Sequence, residues 1–159
     1  MQKHLCIHKW IATGFGSGYS PVAPGTAGAL LAWMLWLVLF FAAGYSACWW
    51  ITLALAVVFT WLGVRSANAL EPIWGEDPSR VVVDEMVGTW IALLAVPEGP
   101  FAEVWGYAAG AFVLFRFFDI LKPLGVRRME ALPGGVGVMA DDILAGVYGF
   151  VVLVLVQWL

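Results

Sequence analysis

Charge is what this sequence has least of. Only 12% of its 159 residues are Asp, Glu, Lys or Arg, whereas 62% are hydrophobic and ten are Trp. A soluble domain carries roughly half apolar and about a quarter charged residues, so that class is excluded, and a mean hydropathy of +0.88 points to an integral membrane protein. Cysteine is nearly absent as well. Cys6 and Cys48 fall at opposite membrane faces in the topology below, which excludes a disulfide framework and leaves both as packing residues. The two histidines, His4 and His8, stand at i, i+4 with no accompanying carboxylate. They read as polar residues on the wet face of a short interfacial helix over residues 1–13, not as metal ligands. Before Gly14 there is no apolar core of signal-peptide length, and no cleavage pattern follows, so the mature chain is expected to start at Met1.

What the sequence does have is uncharged length. Ala29–Ala43 and Ala47–Val64 carry no charge and are separated only by Gly44, Tyr45 and Ser46, which predicts a hairpin of membrane helices. Residues 65–83 turn polar, with Pro72, Gly75 and Pro78 predicting a loop. The next apolar run, Met86–Val96, is too short to span unless its helix starts upstream and carries Asp84 and Glu85 with it. A fourth segment rises through Val104–Phe115, and a fifth, Ile143–Trp158, begins directly after Asp141 and Asp142. The expected fold is an all-α membrane protein, a small polytopic bundle of about five transmembrane helices with an interfacial N-terminal helix, forming one domain over residues 1–159. In that topology all eight basic residues share one face, which the positive-inside rule makes cytoplasmic.

Three polar stretches meet on this face. Residues 14–28, GFGSGYSPVAPGTAG, hold five Gly and two Pro and are expected to be irregular backbone. With no Walker lysine and no preceding strand they are not a nucleotide fingerprint, but their N–H groups, followed by Thr26 at a helix entry, suit an anion. The second stretch is the Asp84-Glu85 pair. The third, Arg116 to Gly146, concentrates Arg116, Asp119, Lys122, Arg127, Arg128, Glu130, Asp141 and Asp142 at a membrane mouth, where charge is costly. Carboxylates offered from two helix starts are hard ligands of the kind Mg²⁺ takes, and Arg116 and Lys122 suit phosphate. Taken singly, Arg116 with Asp119 and Lys122 with Glu130 also fit structural ion pairs, and Asp84 and Asp141 fit helix caps. Arg127, Arg128 and Glu130 fit headgroup contacts or topology anchors. Together, metal ligands, phosphate-binding cations and a glycine loop suggest hydrolysis of a phosphate ester on a lipid.

At GFGSGYSPVAPGTAG (14–28), VVDEMVG (82–88), FRFFDILKP (115–123) and GGVGVMADDILAG (134–146) the chain resembles the phosphatidylglycerophosphatase A family of bacterial membrane enzymes. The four motifs stand in the family's order and cover the chain nearly end to end. The resemblance implies Mg²⁺-dependent hydrolysis of phosphatidylglycerol phosphate to phosphatidylglycerol at the cytoplasmic side of the inner membrane. It also implies a metal and catalytic centre of Asp84, Glu85, Asp141 and Asp142, with Asp119 as a further acid and Thr26, Arg116 and Lys122 holding phosphate. The expected partner is a membrane phospholipid, not a nucleic acid, with the oligomeric state left open. Two rivals are a CDP-alcohol phosphatidyltransferase, whose run of spaced Asp, Gly and Ala-Arg is missing, and a small metal-ion transporter, which would carry its acids at mid-membrane rather than near helix ends.

Overall fold

The computed structural model describes residues 2–75 and 78–159, the side chains of Gln2 and Lys3 excepted. Met1, expected as the start of the mature chain, and the side chain of Lys3 lie outside the described residues. Among those described there are helices and no strands. The elements are α1 (Gln2–Ala12), a single 3-10 turn (Ser17–Tyr19), α2 (Pro24–Ala43), α3 (Tyr45–Trp74), α4 (Val83–Leu93), α5 (Phe101–Leu121), α6 (Val126–Met129) and α7 (Gly135–Val156).

Four helices, α2, α3, α5 and α7, are long and apolar enough to cross a membrane, and most of their residues face outward. An apolar exterior is what lipid requires, because hydrocarbon cannot pair with polar groups. The third apolar segment along the chain is different in kind. With eleven residues, α4 is roughly 16 Å long, and every residue in it except Glu85 and Ile91 is buried. It packs against α2, α3, α5 and α7 at once, so it is the centre of the bundle and its apolar residues face protein. As the short run at Met86–Val96 demanded, its helix starts upstream and takes Asp84 and Glu85 into its first turn.

Tryptophan N–H groups tie the layers together. Trp90 of α4 donates to the Ala32 carbonyl of α2 at 3.2 Å, Trp33 of α2 to Ala108 of α5 at 2.8 Å, and Trp49 of α3 to Leu94 just past α4 at 3.1 Å. Each bond satisfies an indole donor that lipid or a dry core would leave unpaired.

Small residues set the closest approach. A Cβ on Gly146 of α7 would overlap the Gly88 carbonyl oxygen of α4, and one on Gly88 would lie 2.6 Å from the Asp142 carbonyl oxygen. Gly149 in turn approaches Ala92. Since residue numbers rise together along this seam, α4 and α7 cross in parallel with their backbones in contact.

Three expected boundaries move. Helix α3 runs through Arg65 to Trp74, so the polar residues 65–74 form a helical extension, not a loop, and Pro72 falls inside its last turn, where it leaves the Asn68 carbonyl without its helical donor. This extension packs on α1, and Ser66 pairs with His8 Nδ1 at 3.0 Å. His8 is thus bonded within the protein instead of facing water. Helix α2 begins at Pro24, a residue suited to the first helical position, so residues 24–28 are helical where irregular backbone was expected. Helix α7 begins at Gly135, with the Gly135 N–H held by Asn68 Oδ1 at 2.7 Å. Asp141 and Asp142 are consequently inside a helix, well past any capping position. Asp84 is no N-cap either, since Val82 occupies that position.

Replacing Gly146 by Ala should destabilise the protein by about 1–3 kcal/mol, the usual range for overpacking, because the methyl meets immovable backbone. Thermal unfolding in detergent measures this, and an unchanged midpoint would contradict the close crossing.

Candidate active site

The carboxylates gather because of a repeated spacing. Asp84 lies four residues before Gly88, and Asp142 four residues before Gly146. Four residues is about one helical turn, so in each helix the acid and the glycine share a face. Parallel crossing at the glycines therefore turns both acids toward each other. Asp84, Glu85 and Asp142 each offer an oxygen within 4.8 Å of the others', and Asp84 and Asp142 are only 6% and 4% exposed. Asp119, from the last turn of α5, stands within electrostatic reach of both Glu85 and Asp142.

A second wall carries positive charge. Arg116 is ion-paired with Asp119 through its Nη1, at i, i+3 on α5. Across from it is the start of α2, where a Cβ on Gly25 would overlap Glu85 Oε1 and lie 3.4 Å from Arg116 Nη1. Only glycine admits this approach. Pro24, Gly25 and Thr26 form the first turn of α2, so the amides of Gly25 and Thr26 have no intrahelical carbonyl to pair with. Thr26 itself is half-buried there. Ala23, which sets the helix start, adopts a left-handed backbone at φ 48°, as do the non-glycine residues Phe15, Lys122 and Leu124. Such strain is typically about 1–3 kcal/mol per residue and collects at functional loops.

The neighbouring acids Asp141 and Asp142 face different partners. Asp141 accepts a hydrogen bond from Lys122 Nζ at 2.6 Å, and Glu130 accepts another at 2.6 Å. The structure thus places Asp141 beside the three-carboxylate cluster, in an ion pair, and not among the converging oxygens. Partial burial disfavours the Lys122 charge, but the bonds to Asp141 and Glu130 outweigh it and raise its pKa above the ordinary lysine value. Lys122 is therefore charged throughout the neutral range. Both ion pairs anticipated from spacing, Arg116 with Asp119 and Lys122 with Glu130, are present.

Glu85 Oε2, Arg116 Nε and Arg116 Nη1 are buried with no hydrogen-bond partner among the described residues. Nη1 touches Asp119 as an ion pair without the alignment of a hydrogen bond. Glu85 Oε2 and Arg116 Nε are thus left free, the one to meet a cation and the other an anion. His4 and His8 belong to no such group: among the described residues, the carboxylate trio is the candidate metal cluster.

Sequence reasoning missed Gly25, Gly88, Gly146 and Asn68, which position the charged groups. The signal was present for two of them, in the repeat of Asp-x-x-x-Gly at 84–88 and 142–146.

An all-helical membrane bundle that sets buried carboxylates against an arginine and unpaired helix amides has the equipment of a membrane-embedded phosphoester hydrolase. Comparison with known proteins gives the same class. The profile of the family described as Phosphatidylglycerophosphatase A matches residues 10–157. A protein of Bacteroides thetaiotaomicron, named "Putative phosphatidylinositol-3-phosphatase", is 60% identical over 93% of this chain and 92% of its own length. Two proteins named Phosphatidylglycerophosphatase A are also similar. That of Escherichia coli K12 is 36% identical over 86% of this chain and 76% of its own, and that of Haemophilus influenzae 37% identical over 93% and 87%. No solved structure matches. The chain belongs to the phosphatidylglycerophosphatase A family, and it is a membrane phosphatase acting on a phospholipid.

Gly25→Ala tests the approach of α2 to Glu85. The methyl meets the movable end of a side chain, so the fold should survive while the carboxylate is displaced. Phosphatase activity should fall about 10²-fold, the scale of a 1 Å misplacement, with little change in melting temperature. Wild-type activity in this variant would show that the contact has no catalytic meaning.

Proposed function

We propose that the protein hydrolyses the terminal phosphate monoester of phosphatidylglycerol phosphate, with Mg²⁺ as cofactor, at the cytoplasmic face of the bacterial inner membrane. The observation that carries this reading is the convergence of Asp84, Glu85 and Asp142 oxygens within 4.8 Å beside the unpartnered Nε of Arg116. Three acids so close repel one another, and a divalent cation relieves that repulsion. The residues fit such an ion: all are hard oxygen donors, and Glu85 Oε2 is orphaned. Asp84, Glu85 and Asp142 would hold it. Bound there, Mg²⁺ supplies Lewis-acid polarisation of the phosphoryl group.

The remaining work belongs to the protein. Arg116, held at Nη1 by Asp119, binds a non-bridging phosphate oxygen through Nε, joined by the amides of Gly25 and Thr26 and by the Thr26 hydroxyl. Lys122 adds a point charge at the rim, kept in place by Asp141 and Glu130. Asp119 orients Arg116 and is the spare carboxylate that takes the proton from the attacking water. Water oxygen bonds to phosphorus, the ester P–O bond breaks, and the proton taken up by Asp119 passes to the departing oxygen, so that the lipid alcohol and inorganic phosphate leave. Cytoplasmic orientation rests on the distribution of basic residues, all at the end of the bundle that holds this site.

The name of the Bacteroides relative favours a second substrate for the same chemistry, a phosphatidylinositol carrying a 3-phosphate. Phosphate release by purified protein from phosphatidylglycerol phosphate, phosphatidylinositol 3-phosphate and phosphatidic acid separates the two. The expected outcome is fastest release from phosphatidylglycerol phosphate, dependent on a divalent cation, and abolished by Glu85→Gln and by Asp142→Asn without loss of expression, whereas Asp141→Asn, which leaves Lys122 held by Glu130, lowers it less. Full turnover in excess chelator would overturn the metal centre, and preference for the inositol lipid would replace the substrate.

A further inference from the structure

Next to the carboxylate cluster lies a cavity of about 500 Å³, open to one side, a size within the range of small-molecule sites. Its walls come from the cytoplasmic extension of α3, through Ala67 and Glu71, from the connector through Glu130 and Ala131, and from the start of α7 up to Asp141. It touches the site at Asp141, one residue from Asp142, and contains neither Arg116 nor the start of α2.

The charge in this cavity is of one sign. Glu71, Glu130 and Asp141 line it, and no basic residue does among the described residues. Lys122 neutralises part of it from behind, through its bonds to Glu130 and Asp141. Glu71 has no ion-pair partner among the described residues, and its Oε2 lies 3.6 Å from where a Cβ on Gly134 would be. Such walls repel a phosphate and accept hydrogen bonds from hydroxyls. Arg116, Gly25 and Thr26 do not line the cavity, so the site offers phosphate donors in one part and hydroxyl acceptors in another.

We propose that this cavity is the subsite for the hydroxyl-bearing carbons of the lipid headgroup, the alcohol to which the scissile phosphate is attached, and that Glu71 or Glu130 accepts a hydroxyl hydrogen from it. The inference rests on the lipid phosphatase reading and adds to it the chemistry that selects the substrate. Glycerol and inositol headgroups share that chemistry. Phosphatidic acid, whose phosphate sits directly on the diacylglycerol, has no free hydroxyl to offer.

Steady-state phosphate release by the full-length protein in mixed micelles, with phosphatidylglycerol phosphate, phosphatidylinositol 3-phosphate and phosphatidic acid as parallel substrates, tests it. Glu71→Leu removes one acceptor. Ala131→Trp fills the cavity from an exposed position, where the fold tolerates it. Each variant should lower kcat/KM for the preferred polyol lipid relative to phosphatidic acid by about tenfold, the scale of a lost substrate hydrogen bond. The change should appear in KM, with kcat and the melting temperature little moved. The arm that falls further identifies the polyol. A ratio unchanged in both variants, or an equal fall on all three lipids, would overturn the subsite. Wild-type protein that releases phosphate from none of the three would instead overturn the lipid phosphatase reading itself.

Discussion

The contact on which this structure depends is the one between two backbones, at Gly88 of α4 and Gly146 of α7. Without side chains at these positions the helices touch through their main chains, and the turn before each glycine is brought to the same place. Asp84 and Asp142 occupy those turns. A methyl group at either position would separate the helices, and the acids would part with them. Because α4 is enclosed by four other helices, its position is transmitted outward: to α2 through Trp90, to α3 through packing, and to α5 through Phe115 against Gly88.

Burying α4 inside the bundle also resolves an energetic difficulty. Acidic groups facing lipid would be prohibitive, whereas acids at the interior end of a protein-covered helix face only one another, Arg116 and the helix start at Gly25. The site is divided by sign. Carboxylates from α4 and α7 make one side, guanidinium and amide donors from α5 and α2 the other, and Lys122 at the rim joins two acids that otherwise face the headgroup cavity. Such a division would let a metal and a phosphate sit together without displacing the Arg116–Asp119 ion pair.

Much of this was legible in the residues. Uncharged runs marked the membrane segments, and the charge crowded into a 12% charged chain marked the functional end. Helix boundaries were less legible, for a consistent reason. Composition records where the chain leaves lipid, but hydrogen bonding records where the helix ends, and in α3 and α7 the two differ by up to ten residues. Arg65–Trp74 and Gly135–Asp142 are polar or glycine-rich and still helical, because α1 and Asn68 give them partners. The roles of Asp141 and Asp142 were beyond sequence reasoning for a different cause. Adjacent residues on a helix point about 100° apart, and only the placement of α4 and Lys122 decides which of two identical side chains joins the cluster.

The central claim is that α4 and α7 together form a divalent-cation site. Electron paramagnetic resonance of Mn²⁺ titrated into the purified protein measures that directly and requires no turnover. The account predicts one tightly held ion per chain, competed by Mg²⁺, and lost in Asp84→Asn and in Asp142→Asn, while Asp119→Asn retains it. Equal Mn²⁺ binding by the wild type and the Asp84 and Asp142 variants would contradict it.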